Sequence, residues 1–272
     1  MTNENELKNI VREKYGQIAV QSNEKTKSSG CGCGCSSDNL EYSNFSDDYK
    51  KLDGYVEEAD LGLGCGLPTE HADIKNGDII VDLGSGAGND AFIARQLVGD
   101  EGKVIGIDFT EQMINKANVN KTKLGYKNVE FKLSELEDTG LDENSVDVVI
   151  SNCVLNLVPN KQKAFEEIYR ILKPGAHFSV SDIVVKGEIP EEFKKSAELY
   201  AGCVSGAIEQ EEYIQIIKDA GFKNIEIKKS KSINLPDEII NKYLNDDQSK
   251  QFKKSEFGIF SITANGVKPK AF

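Results

Sequence analysis

The sequence lacks both the long apolar runs of a membrane protein and the positive charge of a nucleic-acid-binding protein. No stretch of about 18 apolar residues occurs, and the best candidate, residues 146–158, is interrupted by Asp147 and three further polar residues. The formal net charge is −12, whereas affinity for nucleic acid depends mainly on Lys and Arg that neutralise phosphates. The first 16 residues have neither the cationic start nor the apolar middle of a signal peptide. We therefore expect a cytoplasmic protein with no membrane and no nucleic-acid partner.

Histidine is scarce, and cysteine is unevenly placed. His71 and His177 form no metal-binding motif, and we expect His177, which lies in a strand pattern, to be a satisfied core or edge residue. Disulfide frameworks are rare in cytoplasmic proteins. The six cysteines, three of them within five residues, therefore need a chemical explanation: they are Cys31, Cys33, Cys35, Cys65, Cys153 and Cys203.

Residues 79–90, IIVDLGSGAGND, have the pattern of a buried strand that runs into a glycine turn and then a helix. The turn carries Gly84, Gly86 and Gly88, which permit positive φ and let a ligand approach the backbone. The helix that follows would direct its N-terminal amides at that ligand. The third glycine comes one residue earlier than in the dinucleotide fingerprint, which disfavours a pyrophosphate ligand. A plain tight turn is the alternative.

Strand and helix patterns alternate from residue 79 onward, which is typical of a parallel sheet with helices on both faces. The sequence predicts a Rossmann-like, doubly wound α/β fold with a mainly parallel seven-stranded sheet. Two late strands without a crossover pattern favour an antiparallel edge. The predicted strands cover 79–83, 103–108, 128–132, 146–151, 177–183, 222–229 and 257–264, and the predicted helices between the first five cover 89–98, 110–124 and 161–172.

Three regions are predicted on composition and pattern. Residues 1–70 form an N-terminal segment that begins with a helix and contains a mobile, cysteine-rich stretch and the Cys65 loop. Residues 71–185 form the α/β core with the cofactor site. Residues 186–272 form an appended helical region that carries Cys203 and the last two strands.

Asp108 ends the second predicted strand, 24 residues after Gly84, where a carboxylate can accept hydrogen bonds from both hydroxyls of a ribose. A solvent-exposed acid in a loop is the alternative. Together with the glycine turn and Lys-Pro-Gly at 173–175, this pattern resembles class I S-adenosylmethionine-dependent methyltransferases over about residues 70–264.

The resemblance implies roles for the residues around the turn. The glycine loop, which includes Ser85, would lie against the methionine part of the cofactor, with Asp82 beneath it and orienting it. Asp108 would bind the ribose. The residues expected to frame or cover the adenine are Ser134, Glu135 and Met113, although a Met at helical spacing is more often a core residue.

Cysteines mark the predicted acceptor site. Cys153 follows the fourth strand, so it would face the same crevice as the glycine loop. Cys65, in LGLGCGLP, and Cys203, in AGCVSGA, lie on segments that could reach that crevice. Each alone is more often a small buried residue, but three converging thiolates would bind a thiophilic ion.

The motifs VREKYG, LGLGCGLP, VDLGSGAG, SNCVLNLV and AGCVSGA resemble those of the arsenite methyltransferases over nearly the whole chain. This resemblance implies transfer of methyl groups from S-adenosylmethionine to trivalent arsenic, or its thiol conjugates, held by Cys65, Cys153 and Cys203. It also implies a detoxifying reaction that uses a thiol reductant, glutathione or thioredoxin, and couples to thiol–disulfide exchange.

The family also has an N-terminal cysteine that pairs with the counterpart of Cys65. Here Cys31, Cys33 and Cys35 are all candidates, with Cys33 and Cys35 taken as catalytic, and their spacing does not decide between them. A soft-metal site and a solvated segment without a specific role are the alternatives. For the whole chain, the alternatives are methylation of a small organic acceptor and a thiol-based metal-binding protein without turnover.

Overall fold

The structure is a computed structural model that describes residues 4–25, 48–187, 206–234, 237–245, 247–249 and 257–270. Cys65, Cys153 and all residues predicted to bind the cofactor lie within these ranges. Four of the predicted catalytic or candidate cysteines lie outside the described residues: Cys31, Cys33, Cys35 and Cys203.

Seven strands form one mixed sheet in the order β3-β2-β1-β4-β5-β7-β6. The strands are β1 (Ile79–Leu83), β2 (Lys103–Asp108), β3 (Val129–Leu133), β4 (Val146–Asn152), β5 (Leu172–Lys186), β6 (Lys223–Ile233) and β7 (Gly258–Val267). Strands β1 to β5 pair in parallel, whereas β7 runs antiparallel to β5 and β6. The predicted fold class is confirmed.

Apolar residues alternate between the two faces of the sheet and are covered by helices on each. Ile80 points into a cluster that contains Phe92 and Ala117, whereas Val81 points into a cluster with Phe165 and Tyr213. The described helices are α1 (Glu4–Lys25), α2 (Asn89–Val98), α3 (Glu111–Leu124), α4 (Lys161–Ile171), α5 (Gln210–Asp219) and α6 (Asp237–Tyr243). None of them is long and apolar enough to cross a membrane.

Strand β5 begins five residues before the predicted start. α4 ends at Ile171, as the Lys-Pro-Gly pattern predicts, and Leu172 then pairs with Val146. An irregularity follows, and regular pairing resumes between Val148 and His177. The predicted strand omitted residues 172–176 because proline and glycine do not normally lie within a regular strand. His177 Nε2 lies 2.6 Å from the Ala72 carbonyl oxygen, so its prediction as a satisfied residue is confirmed.

The order of the parallel strands reverses between β1 and β4. Strands β2 and β3 continue on one side of β1, and β4 and β5 on the other. In open α/β sheets the crevice for a ligand opens at the carboxyl ends of the strands at such a reversal. Leu83 and Asn152, at the ends of β1 and β4, therefore mark the position of the site.

Candidate active site at the carboxyl edge of the sheet

The glycine turn after β1 has the backbone that its sequence requires. Gly84, Gly86 and Gly88 have φ values of 71°, 51° and 99°, in the left-handed region. A Cβ on Gly84 would lie 2.4 Å from the Val154 side chain. The Gly84 and Ser85 amides donate to the Ile107 carbonyl at 2.7 and 2.9 Å, which ties the turn to β2.

Asp108 holds both the glycine turn and the start of the next loop. Its carboxylate accepts from the Gly86 amide at 3.0 Å and from the Thr110 amide at 2.8 Å. Burial raises the pKa of Asp108, and these backbone hydrogen bonds oppose that effect. The carboxylate faces the cavity from this fixed position.

A partly open cavity lies along the turn, with about 1080 Å³ of empty space that includes open solvent. It brings together most of the predicted cofactor residues and one predicted acceptor residue: Asp82, Gly84, Ser85, Gly86, Asp108, Met113, Glu135 and Cys153. Gly88 and Ser134 are not among its lining residues. A Cβ on Gly88 would lie 2.8 Å from the Phe131 ring, and the Ser134 hydroxyl donates to the Asp138 carbonyl at 2.8 Å.

Two carboxylates that line the cavity, those of the buried Asp82 and the half-buried Asp90, have oxygen atoms with no hydrogen-bond partner among the described residues. These atoms are Asp82 Oδ2 and Asp90 Oδ1. Burial, followed by the charges of Asp90 and Asp108, raises the pKa of Asp82 well above its ordinary value. Burial also raises the pKa of Asp90 to about 6, although hydrogen bonds from Asn152 and Tyr49 oppose this. Unpartnered buried carboxylate oxygens favour a ligand with a hydrogen-bond donor or a cationic group.

Cys153 lines the cavity directly after β4. Its φ of 61° is in the left-handed region, which is costly for a residue with a Cβ and tends to persist at functional sites. The Cys153 amide donates to the Ser181 carbonyl at 2.7 Å, which holds this conformation against β5. The cysteine is buried, with 6% of its surface exposed.

Cys65 lies on the loop before β1 and is not among the residues that line the cavity. It is 1% exposed and belongs to the same apolar cluster as Cys153 and Leu157. The Cys65 amide donates to Asn152 Oδ1 at 3.0 Å, and the Ser261 hydroxyl on β7 donates to the Cys65 carbonyl. The described residues contain no group of three or more His, Cys, Asp or Glu that could hold a metal ion.

Helix α1 lies against the cavity, and the sequence did not predict this contact. Val11 and Tyr15 line it. Lys8 Nζ lies 2.6 Å from Glu135 and 2.9 Å from Glu137, on the loop after β3. Glu135 therefore pairs with α1 as well as facing the cavity.

Sequence reasoning also missed three polar residues of the site. Tyr49 lies in a polar region that was interpreted as mobile, yet it is 4% exposed and its hydroxyl lies 3.0 Å from Asp90. Asp90 and Asn152 could have been considered, because Asp90 ends the glycine-turn stretch and Asn152 directly precedes Cys153. No local pattern marks Tyr49.

Comparisons with known proteins agree with this geometry. Residues 74–221 match the family described as "Methyltransferase domain". An arsenite methyltransferase of Halobacterium salinarum is 44% identical over 172 residues, which are 63% of this chain and 44% of that protein. An arsenite methyltransferase of Aquipseudomonas alcaligenes is 31% identical over 213 residues, 76% of this chain and 60% of that protein.

A solved structure is similar as well. The crystal structure of an arsenic (III) S-adenosylmethionine methyltransferase from Chlamydomonas reinhardtii is 33% identical, with a TM-score of 0.65. The match covers 76% of this chain and 68% of that chain. The chain spans about half the length of the curated relatives it matches.

Proposed function

The chain belongs to the methyltransferase-domain family of class I S-adenosylmethionine-dependent methyltransferases, and from this premise we propose that it methylates trivalent arsenic. The substrate would be arsenite or its thiol conjugates, and the products would be methylated arsenicals. The observation that carries the proposal is that Cys153 lines the same cavity as the glycine turn and Asp108, with Cys65 in the same apolar cluster.

The residues around the cavity fit S-adenosylmethionine. The cofactor carries an α-ammonium and a sulfonium, and the carboxylates of Asp82 and Asp90 offer buried oxygens without partners among the described residues. Asp108, which lines the same cavity, would accept from the ribose hydroxyls. Met113 and Glu135 would contact the adenine end, and the Ser134 hydroxyl, which donates to the Asp138 carbonyl, would take part only as an acceptor.

The bound cofactor would supply an activated methyl group, so the protein's contribution is to position the acceptor and exclude water. Cys65 and Cys153 would bind arsenic as thiolates, with Cys203 as the third ligand, and leave its lone pair directed at the cavity. Thiolate ligands suit arsenic because both are soft. The low exposure of Cys65 and Cys153 would keep water from displacing them.

Methyl transfer forms a C–As bond from the arsenic lone pair, breaks the S–CH₃ bond and formally oxidises arsenic from the trivalent to the pentavalent state. Two thiolates can return the two electrons by forming a disulfide. Cys65 and one of the N-terminal cysteines, Cys31, Cys33 or Cys35, are the proposed pair. A thiol reductant, glutathione or thioredoxin, would then reduce that disulfide, in keeping with a cytoplasmic location.

The test is product analysis. The purified protein is incubated with arsenite, S-adenosylmethionine and a thiol reductant, and arsenicals are separated and identified by mass spectrometry. Methylated arsenic should appear together with S-adenosylhomocysteine. Binding of S-adenosylmethionine without any methylated arsenical would contradict the proposal and favour an organic acceptor.

A further inference from the structure

We propose that the Asn152 side chain is a positioning residue that holds the Cys65 loop, residues 64–66, where Cys65 and Cys153 can bind one arsenic together. The inference rests on the proposed function and deepens it, because it assigns the group that sets the relative position of the two thiols. Asn152 ends β4 and directly precedes Cys153, so one strand end would position both cysteines.

The Asn152 amide binds the loop through three hydrogen bonds. Its Oδ1 accepts from the Cys65 amide at 3.0 Å and from the Gly66 amide at 3.2 Å. Its Nδ2 donates to the Gly66 carbonyl at 2.8 Å. A segment 86 residues distant in sequence is thereby fixed to the residue beside Cys153.

The surroundings fix which way the amide faces. Two backbone N–H groups require the oxygen, whereas the Gly66 carbonyl and the Asp90 carboxylate, 3.1 Å from Nδ2, require the NH₂ group. Asn152→Asp would replace the NH₂ group by an anionic oxygen. That oxygen would face two acceptors, the Gly66 carbonyl and the Asp90 carboxylate, and would be repelled by both. Only an amide of this size satisfies all of these partners.

The loop has little else in its own sequence to hold it still. Cys65 is flanked by Gly64 and Gly66, and glycine leaves the backbone with many accessible conformations. Both glycines are needed for the close approach, because a Cβ would lie 2.8 Å from Asn152 Nδ2 at position 64 and 2.5 Å from the Ser181 hydroxyl at position 66. Asn152 therefore supplies order that the glycine-rich loop lacks.

The functional consequence concerns the second thiol. Once Cys153 holds arsenic, binding of the same arsenic by Cys65 adds to the affinity of the protein for arsenic. The size of this addition depends on the effective concentration of the Cys65 thiolate at the arsenic atom. Without the three Asn152 hydrogen bonds, the loop would keep the bonds from Ser261 to the Cys65 carbonyl and from Tyr49 to the Gly66 carbonyl. Cys65 would then be less restrained, and this concentration would fall. The intrinsic reactivity of Cys153 would not change in the same way, because its backbone is held by Ser181.

The first measurement needs no arsenic. Full-length protein is treated with N-ethylmaleimide, and the labelling rate of each cysteine is read by peptide mass spectrometry for wild type, Asn152→Ala and Asn152→Asp. Each hydrogen bond lost contributes on the order of 1 kcal/mol, so Cys65 should be labelled at least about tenfold faster in Asn152→Ala, which loses all three. The acceleration should be smaller in Asn152→Asp, whose carboxylate still accepts from the Cys65 and Gly66 amides and, of the three bonds, loses only the one to the Gly66 carbonyl. Cys153 should stay within about threefold of wild type, since its conformation does not depend on those bonds.

Ser151→Ala is the matched control. It removes a buried hydrogen bond from the neighbouring residue of β4, where the Ser151 hydroxyl donates to the Leu83 carbonyl at 2.9 Å. The control should leave labelling of Cys65 unchanged. An unchanged Cys65 rate in the Asn152 variants, or equal acceleration of every cysteine, would overturn the inference.

The second measurement adds arsenite as a protecting ligand. In wild type, Cys65 and Cys153 should be protected over the same range of arsenite concentration, whereas Asn152→Ala should require at least about tenfold more arsenite to protect Cys65. Protection of both thiols at the wild-type concentration in Asn152→Ala would overturn this inference alone. Protection of neither thiol in wild type would overturn the proposed function and the inference with it.

Discussion

Asp108 is the residue whose neutralisation should most directly weaken cofactor binding. Its carboxylate already accepts from the Gly86 and Thr110 amides, and the ribose hydroxyls would add charge-assisted bonds. Asp108→Asn should lower the affinity for S-adenosylhomocysteine about ten- to hundredfold, because hydrogen bonds to charged groups contribute about 1.5–3 kcal/mol. Calorimetric titration measures this, with Asp100→Asn, 92% exposed, as the control. A loss below threefold would contradict the assigned role.

Asp90 should make the fold less stable as the pH rises. Burial raises its pKa from an ordinary 3.8 to about 6. Below about pH 4 the carboxyl is protonated in both the folded and unfolded states, so burial has no electrostatic penalty. As the pH rises through about 6, the unfolded chain has already ionised and the folded protein must hold a buried charge, so stability is lost.

Asp90→Asn should remove this penalty. The variant should be more stable than wild type by up to about 3 kcal/mol near pH 8, and the difference should shrink towards about pH 4. Denaturant unfolding at both pH values measures it, with the exposed Asp53→Asn as the control. The same variant should bind the cofactor less tightly, because it lacks the charge that the cofactor would contact. The gain in folding stability would therefore accompany a loss of function. A stability difference independent of pH would show that Asp90 does not titrate in this range.

At the scale of single elements, α1 should act as a cover that slows cofactor release. Its Lys8 pairs with the exposed Glu135 and the half-buried Glu137 at the rim of the cavity, and ion pairs near the surface contribute about 0.2–1 kcal/mol each. Lys8→Met should therefore speed dissociation of S-adenosylhomocysteine about two- to tenfold in stopped-flow measurements at low salt. High salt should reduce the difference from wild type, because screening weakens the pair with the exposed Glu135 more than the pair with the half-buried Glu137.

A matched variant separates this effect from a general loss of charge. Lys103→Met breaks the ion pair with Glu130 between β2 and β3, at 2.8 Å and away from the cavity. It should leave cofactor dissociation unchanged at any salt concentration. Equal acceleration by the Lys8 and Lys103 variants would mean that net charge, not the contact of α1, controls release.

Most elements could be predicted because their signals are local. β1, β2 and α2 have the predicted bounds, since apolar runs, glycines and helical spacing lie within each segment. The helix at the N-terminus was also predicted, but not its position over the cavity. That position depends on Lys8 meeting Glu135, 127 residues away, and no pattern within either segment encodes the contact.

The placement of three residues along one cavity could be predicted from the strand pattern, whereas their roles stay predictions. Asp82, Asp108 and Cys153 stand at strand ends, and parallel strands bring such ends to one edge. The sequence did not indicate Tyr49 and Asn152 as site residues, because both act by hydrogen bonding to other residues of the site. Those contacts form only when the chain has folded. The roles of the cysteines at 31, 33, 35 and 203, outside the described residues, stay predictions.

At the scale of the whole molecule, the net charge of −12 should discriminate between forms of the proposed arsenic substrate. Arsenite is uncharged near neutral pH, whereas the conjugate of arsenic with three glutathiones carries about three negative charges. An acidic protein repels that conjugate during diffusional encounter, and salt screens the repulsion. kcat/KM for the glutathione conjugate should therefore rise severalfold between low and physiological salt, whereas arsenite presented with an uncharged dithiol should show little change.

Initial rates of S-adenosylhomocysteine formation, measured with each arsenic form across a salt series, test this expectation. The acids at the cavity rim, Glu135 and Glu137, should add to the repulsion, but Lys8 neutralises part of their charge. Lys8→Met should thus steepen the salt dependence for the conjugate and leave that for arsenite flat. A conjugate rate that does not respond to salt in either protein would mean that arsenic leaves glutathione before it reaches the cavity, so that the thiols of this chain receive free arsenite.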